Sequence, residues 1–391
     1  NATIGPYFAP AAFQIRRTND DLLFLGFPPG FPALMALVVA LARTPTAVHY
    51  AAPLLTLIGL VATYFVGALA GGRRAVGLWA VLLLAASPSF WQFGTAAWSE
   101  APSLALGTAG AALFLAARRS ARTGQSRMLA LAAGLLLAYN IFVRYANVAI
   151  LPGFLLFDLW RARTALFRPN RRWWFYLPLV AGVAAVPLFN MVYYGGPLIT
   201  SYNPLHGWYP HAPFALGYAF GPSFVGGRSL LEMPPLLWAN FGFFLLALPV
   251  GWILLPRPVA LLTAAAALLT MGLYGIYAFA PVGINSRFLL PIFPFLCVPM
   301  AQTIVEGGQW LGDRLRTRFP RAGWASVGQS VAAMVLLLLM FRPLPDTLAA
   351  LEQRTRDGAA VASRMQELTA GTPDDSVFLS YEFNDHIAYY G

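Results

Sequence analysis

Apolar runs of 15 to 24 residues follow one another from residue 47 to residue 342, separated by short polar breaks. A helix needs about 20 such residues to cross the hydrocarbon of a bilayer. The pattern predicts an all-α polytopic membrane domain over 47–342, with ten spans at 47–70, 75–91, 101–118, 128–143, 146–160, 173–194, 236–255, 258–277, 288–305 and 324–342. A barrel would alternate apolar and polar residues over short segments instead. Residues 31–43 are apolar but only 13 long, which suits an interfacial or re-entrant helix. Just before them, Phe27-Pro28-Pro29-Gly30-Phe31-Pro32 predicts an extended turn, because paired prolines bar a continuing helix.

Two breaks in the pattern carry more information than the runs. Residues 128–160 total 33, too few for two full spans. Two short or broken helices meeting at Phe142-Val143-Arg144-Tyr145 fit better. Backbone that is not helical at that depth has to line a cavity or pack in protein, so Arg144 is expected to face a polar pocket. The second break, Ser87 to Pro102, holds Glu100. Between Leu22 and Phe157 it is the only acid.

Composition agrees with the pattern. The chain is 58% hydrophobic and 10% charged, where a soluble domain has about 25% charged residues. A net charge of +11 does not point to nucleic acid, because all 26 basic residues are Arg and 16 of them sit in the short loops 71–74, 118–127, 161–172, 256–258 and 313–321. The positive-inside rule places those loops in the cytoplasm. Residues 1–46, Glu100, Arg144, the long loop 195–235 and the tail 343–391 then face the outside. The tail is richer in acids and has a strand-like stretch at 377–380, so it reads as the start of an external soluble domain. One cysteine, Cys297, excludes an internal disulfide framework. No phosphate-binding loop, dinucleotide fingerprint or haem motif is present. The chain opens at Asn1 rather than Met and stops at Gly391, which suggests a protein truncated at both ends.

The candidate residues each have two readings. Glu100 either favours the positive end of a helix or serves catalysis or a metal. Arg144 and Arg287 either snorkel to headgroups or hold phosphate through their guanidinium forks. For Arg342 snorkelling is the better reading. His206 and His211 with Glu232 form a possible metal set or ordinary loop polar groups. Asp20 and Asp21 read as a solvated turn or cap, with a metal or acceptor contact as the alternative.

These features together resemble the GT-C glycosyltransferases, in particular the protein O-mannosyltransferase and aminoarabinose-transferase-like superfamily. The carriers are the double-proline turn before a short helix, the Ser87-Pro88 to Ser99-Glu100-Ala101-Pro102 corner, Arg144-Tyr145, Tyr194-Gly195-Gly196-Pro197-Leu198 with Tyr202, and Arg287-Phe288-Leu289-Leu290-Pro291. The resemblance implies transfer of a sugar from a polyprenyl-phosphate carrier to a lipid, glycan or protein acceptor. The reaction would run on the external face of the cytoplasmic membrane, with inversion at the anomeric carbon.

By the same resemblance Glu100 matches a second acidic position. Arg144, Tyr145, Arg287 and Tyr202 match the lipid-phosphate side, and a divalent metal ion is a possible cofactor. The family's first acidic pair would lie upstream of Asn1, and where aminoarabinose transferases have an acid before the double proline this chain has Gly26-Phe27. A lipid-linked glycan transporter or flippase and a non-catalytic homologue are the alternative readings.

Overall fold

The structure is a computed structural model, and it describes residues 13–15, 23–25, 28–44, 47–96, 98–162, 172–200, 213–223, 227–318 and 324–369. Those residues fall into two compact units. The larger, Gly30–Val186 with Ala212–Leu344, is a bundle of apolar helices. The smaller, Asn1–Pro29, Pro187–His211 and Pro345–Gly391, contains a two-stranded antiparallel ladder in which β1 (Phe13–Ile15) pairs with β2 (Leu23–Leu25). Apart from that hairpin the regular elements among the described residues are helices, as the apolar runs predict.

Within the bundle α1 (Gly30–Ala42) is the short helix expected after the double proline. It is followed by α2 (Val48–Gly71), α3 (Arg74–Ala86) and α4 (Pro88–Gly94). Helices α5 (Glu100–Arg119) and α6 (Thr123–Val143) form the tightest pair, and α7 (Leu151–Ala162) and α8 (Trp173–Tyr194) complete the first half. A single turn, α9 (Gly217–Phe220), precedes α10 (Met233–Phe241), α11 (Leu248–Leu254) and α12 (Arg257–Gly275). The last long helices are α13 (Phe293–Arg318), α14 (Trp324–Phe341) and α15 (Leu344–Thr369).

Residue size decides which helix is central. Helix α5 is built largely from Ala, Gly, Ser and Thr, which let neighbouring backbones approach closely. At Gly110 an added Cβ would lie 2.7 Å from Leu137 of α6, and at Gly59 of α2 it would lie 2.0 Å from Leu104 of α5. The most apolar window of α5 is 78% buried, against 17% for α8, whose Leu, Val and Trp side chains face outward as a lipid-facing helix requires.

The count of spans differs from the sequence reading. Among the described residues eight helical stretches are long and apolar enough to cross a membrane, or up to nine if a bent pair counts as one span. The run 75–91 is that pair: α3 and α4 meet at a 71° bend because Pro88 starts a new helix after the extended Ser87. The expected span 146–160 runs from the Glu100 end of α5 to the Arg118 end but is not one continuous α-helix. Residues Tyr145–Ile150 are a 3-10 segment and α7 adds only 12 residues. By contrast α6 is longer than the expected 128–143 and is a full span of 21 residues. The stretch 236–255 is likewise interrupted by a 3-10 segment at Gly242–Ala247. Hydropathy registers apolar length, and the switch from α to 3-10 winding leaves no mark in it.

After Arg342 the chain continues as α15, a 26-residue helix of mixed polar character. The strand-like stretch 377–380 lies outside the described residues.

Candidate functional site

Three backbone irregularities converge at one end of α5. The first is the corner between α4 and α5. Ser87 adopts an extended conformation, its hydroxyl accepts a hydrogen bond from the Phe90 amide, and Pro88 occupies the first helical turn, where a missing N–H costs nothing. Asn240 of α10 grips this start. Its Oδ1 accepts hydrogen bonds from the Ser87 hydroxyl at 2.7 Å and the Ser89 amide at 3.0 Å. The far end of α4 is held by α2, where the Thr56 hydroxyl donates to the Gly94 carbonyl at 2.5 Å. The corner that presents Trp98 and Glu100 is thus pinned on both sides.

The second irregularity is at Arg144. It is extended (φ −152°, ψ 120°) between the helical Val143 and the 3-10 segment 145–150. Gly30 at the start of α1 packs directly on this break. An added Cβ there would lie 2.5 Å from the Phe142 carbonyl carbon, and the Tyr139 hydroxyl donates to the Gly30 carbonyl at 2.7 Å. The third is the 3-10 segment Gly283–Ile292, which carries Arg287 and leads into α13.

These elements bring Glu100, Arg144 and Arg287 together. Glu100 is the first residue of α5 and is 1% exposed. Its Oε1 accepts a hydrogen bond from Arg144 Nη1 and lies 3.1 Å from Arg287 Nε. Oε2 is buried and has no hydrogen-bond partner among the described residues. Arg144 also donates from Nη2 to the Tyr274 hydroxyl at 2.8 Å.

Aromatic faces hold both guanidinium groups. Arg287 lies 3.6 Å from the centroid of Trp98 and 5.4 Å from that of Phe288, while Arg144 lies 5.1 Å from Phe288 and 5.7 Å from Tyr274. The Tyr274 and Phe288 rings are themselves stacked, with centroids 5.2 Å apart. Such contacts contribute about 0.5–2 kcal/mol, more as water is excluded. Glu100 thus stands in the first turn of a helix, and its carboxylate is the hub of an ion cluster.

Among the described residues one carboxylate oxygen faces two guanidinium groups in a buried setting. Oε1 thus serves two cations and Oε2 none among the described residues. No group of three His, Cys, Asp or Glu side chains capable of holding a metal ion occurs among the described residues.

The remaining sequence candidates are placed less centrally. Tyr145 is half-buried at the start of its 3-10 segment. Glu232 is half-buried at the N-cap of α10, and its side chain does not cap the helix. Asp20, Asp21, Tyr202, His206 and His211 lie outside the described residues. Sequence reasoning passed over Trp98 and Tyr274. Trp98 stands two residues before Glu100, a position that could have raised it, whereas Tyr274 stands among many aromatic residues near the end of an apolar run.

A surface cavity of about 400 Å³, lined by Leu69, Arg119, Arg122 and Leu129 among others, lies at the other end of α5 and includes none of these residues.

Comparison with known proteins agrees with this architecture. Residues 46–197 match the family model described as dolichyl-phosphate-mannose-protein mannosyltransferase. The fold is shared with crystal structures of ArnT from Cupriavidus metallidurans, bound to undecaprenyl phosphate and in the apo state. In both cases the TM-score is 0.58 and the sequence identity 15%, over 93% of this chain and 74% and 73% of theirs, respectively. No curated protein sequence matches the chain. The resemblance to GT-C glycosyltransferases thus holds in the family-model match and in the fold, and the chain is a multi-pass membrane protein.

Proposed function

We propose that this chain forms the membrane domain of a glycosyltransferase that takes a sugar from a polyprenyl-phosphate carrier and passes it to a lipid, glycan or protein hydroxyl on the external face of the cytoplasmic membrane. The observation that carries this reading is the buried cluster in which two guanidinium groups meet one Glu100 oxygen while the other oxygen stays open. A fold-mate crystallised with undecaprenyl phosphate supports the class of donor. The arginine-rich loops at the opposite ends of the helices support the external orientation.

Sugar transfer from a lipid phosphate breaks the bond between the anomeric carbon and the phosphate oxygen. Negative charge grows on the departing phosphate and is best met by cations already in place. Arg144 and Arg287, fixed by Phe288, Tyr274 and Trp98, fill that role. Both are fully ionised and offer planar donor forks matched to phosphate. The acceptor oxygen attacks from the opposite face, forms the new C–O bond and inverts the centre. Its proton passes to a carboxylate base. Glu100 keeps the two guanidinium groups aimed, and its Oε2 takes the hydrogen bond of the incoming hydroxyl. A divalent ion is not needed to offset the phosphate charge in this scheme.

The test is a transfer assay on membranes containing the full-length protein, with a panel of polyprenyl-phosphate sugars. Wild type is expected to transfer from at least one donor, and Glu100→Gln to lose at least about 100-fold in rate while still folding. Full activity in that variant would remove Glu100 from the site.

A further inference from the structure

One helical turn below the Glu100–Arg144 contact lies a second, wholly neutral contact between the same two segments. Ser103 follows Glu100 by three residues along α5 and so lies on the same face, while Asn147 follows the extended Arg144 by three residues inside the 3-10 segment. The two hydrogens of Asn147 Nδ2 are shared among Ser103 Oγ at 3.0 Å, the Asn140 carbonyl at 2.9 Å and Asn140 Oδ1 at 2.9 Å. All three side chains are buried, and none lies more than 4% exposed.

The geometry around Arg144 is closed on both sides. Its amide donates to the Asn140 carbonyl at 3.1 Å, and its carbonyl accepts from the Asn147 amide at 3.0 Å. In an unbroken helix, residues seven apart are separated by about 10.5 Å along the axis. Here the side chains of Asn140 and Asn147 touch, because the break at Arg144 folds the chain back. The side-chain amide of Asn147 adds a second donor at the Asn140 carbonyl, beside the Arg144 amide, and reaches across to the helix that carries Glu100.

We infer that Asn147, with Asn140 and Ser103, is a clasp that holds Arg144 extended and sets the reach of its guanidinium toward Glu100 and the incoming phosphate. Asn147 is a positioning residue, acting through Arg144. The assignment rests on the proposed transfer for its catalytic consequence but not for its structural one.

Two measurements separate these. In a double-mutant cycle followed by thermal unfolding in detergent, Asn147→Leu and Glu100→Gln share no contact, yet their melting-temperature shifts are expected to fail to add by on the order of 2 °C while Arg144 is present. In an Arg144→Met background the same two shifts are expected to add. Additivity with Arg144 present overturns the clasp, whatever the enzyme does.

In the transfer assay, Asn147→Leu is expected to lower kcat about tenfold or more, since small misplacements of a positioned group are costly. Added to Arg144→Met it is expected to cause no further loss. Wild-type kcat in Asn147→Leu, or a further fall in the double variant, also overturns the inference. If Asn147→Leu does not fold, Ser103→Ala, which removes a single acceptor, takes its place in both measurements. If wild type transfers from no donor, the proposed function fails and the thermal cycle alone decides the clasp.

Discussion

The two ends of α5 carry two buried carboxylate clusters that look alike in composition and differ in how they are closed. At one end is Glu100 with Arg144, Arg287 and Tyr274. At the other is Asp158 of α7, fully buried, with Arg118, Arg172 and Tyr176. Glu100 and Arg118 stand 18 residues apart on one helix, roughly 27 Å.

Both Asp158 oxygens are used. Arg118 donates to them bidentately, Nε to Oδ1 at 2.8 Å and Nη2 to Oδ2, the Tyr176 hydroxyl adds a hydrogen bond at 3.1 Å, and Arg172 Nε lies 3.8 Å away. Arg118 is backed by Phe114 at 4.6 Å. Nothing is left for a ligand to take. At Glu100 both cations meet the same oxygen and the other stays open. A saturated cluster ties helices α5, α7 and α8 together. An unsaturated one, held in place by backbone breaks and aromatic faces, retains bonding capacity for a substrate.

That contrast is open to direct attack. The largest effect is expected from Glu100→Gln, a loss of transfer with little change in melting temperature. The mirror variant, Asp158→Asn, should do the opposite. It leaves Arg118 buried against a neutral partner, which costs about 3 kcal/mol or more. A lowered melting temperature and poor yield are expected, with unchanged donor KM in the protein that folds. If Asp158→Asn were as stable as wild type and inactive, the division of labour between the two ends would be wrong.

A smaller effect is expected at Trp98. Removing the ring beneath Arg287 forfeits about 1 kcal/mol, so Trp98→Ala should raise donor KM several-fold while Trp98→Phe restores most of it. An unchanged KM in Trp98→Ala would show that Arg287 does not meet the donor. Smallest of all is the expected response to EDTA, which should leave transfer in place, since the arginines supply the charge. Abolition by EDTA with rescue by a divalent ion would put a metal back into the site.

The sequence made the membrane class, the break at Arg144 and the trio Glu100, Arg144 and Arg287 visible. Ionisable groups are rare in apolar runs, so each stands out. It did not show that the three meet on one oxygen. Nor did it single out Asp158, which sits beside an arginine-rich loop and reads as part of it, or Tyr274, whose ring is one of many near the ends of apolar runs. The winding of the expected span 146–160 was not visible for a related reason. Residues 145–160 are as apolar as a span, and the 3-10 turn that breaks them is a matter of backbone winding rather than hydropathy.

The contact between Gly30 and the backbone at Phe142 has a practical consequence for anyone recombining this protein with its fold-mates. Main chain lies against main chain there, so neither partner can be exchanged alone without changing the spacing that sets where Arg144 begins. The turn at 28–30 and the helix end at 139–144 behave as one cassette, 109 residues apart in the chain between Gly30 and Tyr139. Chimaeras with a crossover between them should lose the site even when every residue in direct contact with Glu100 has been kept.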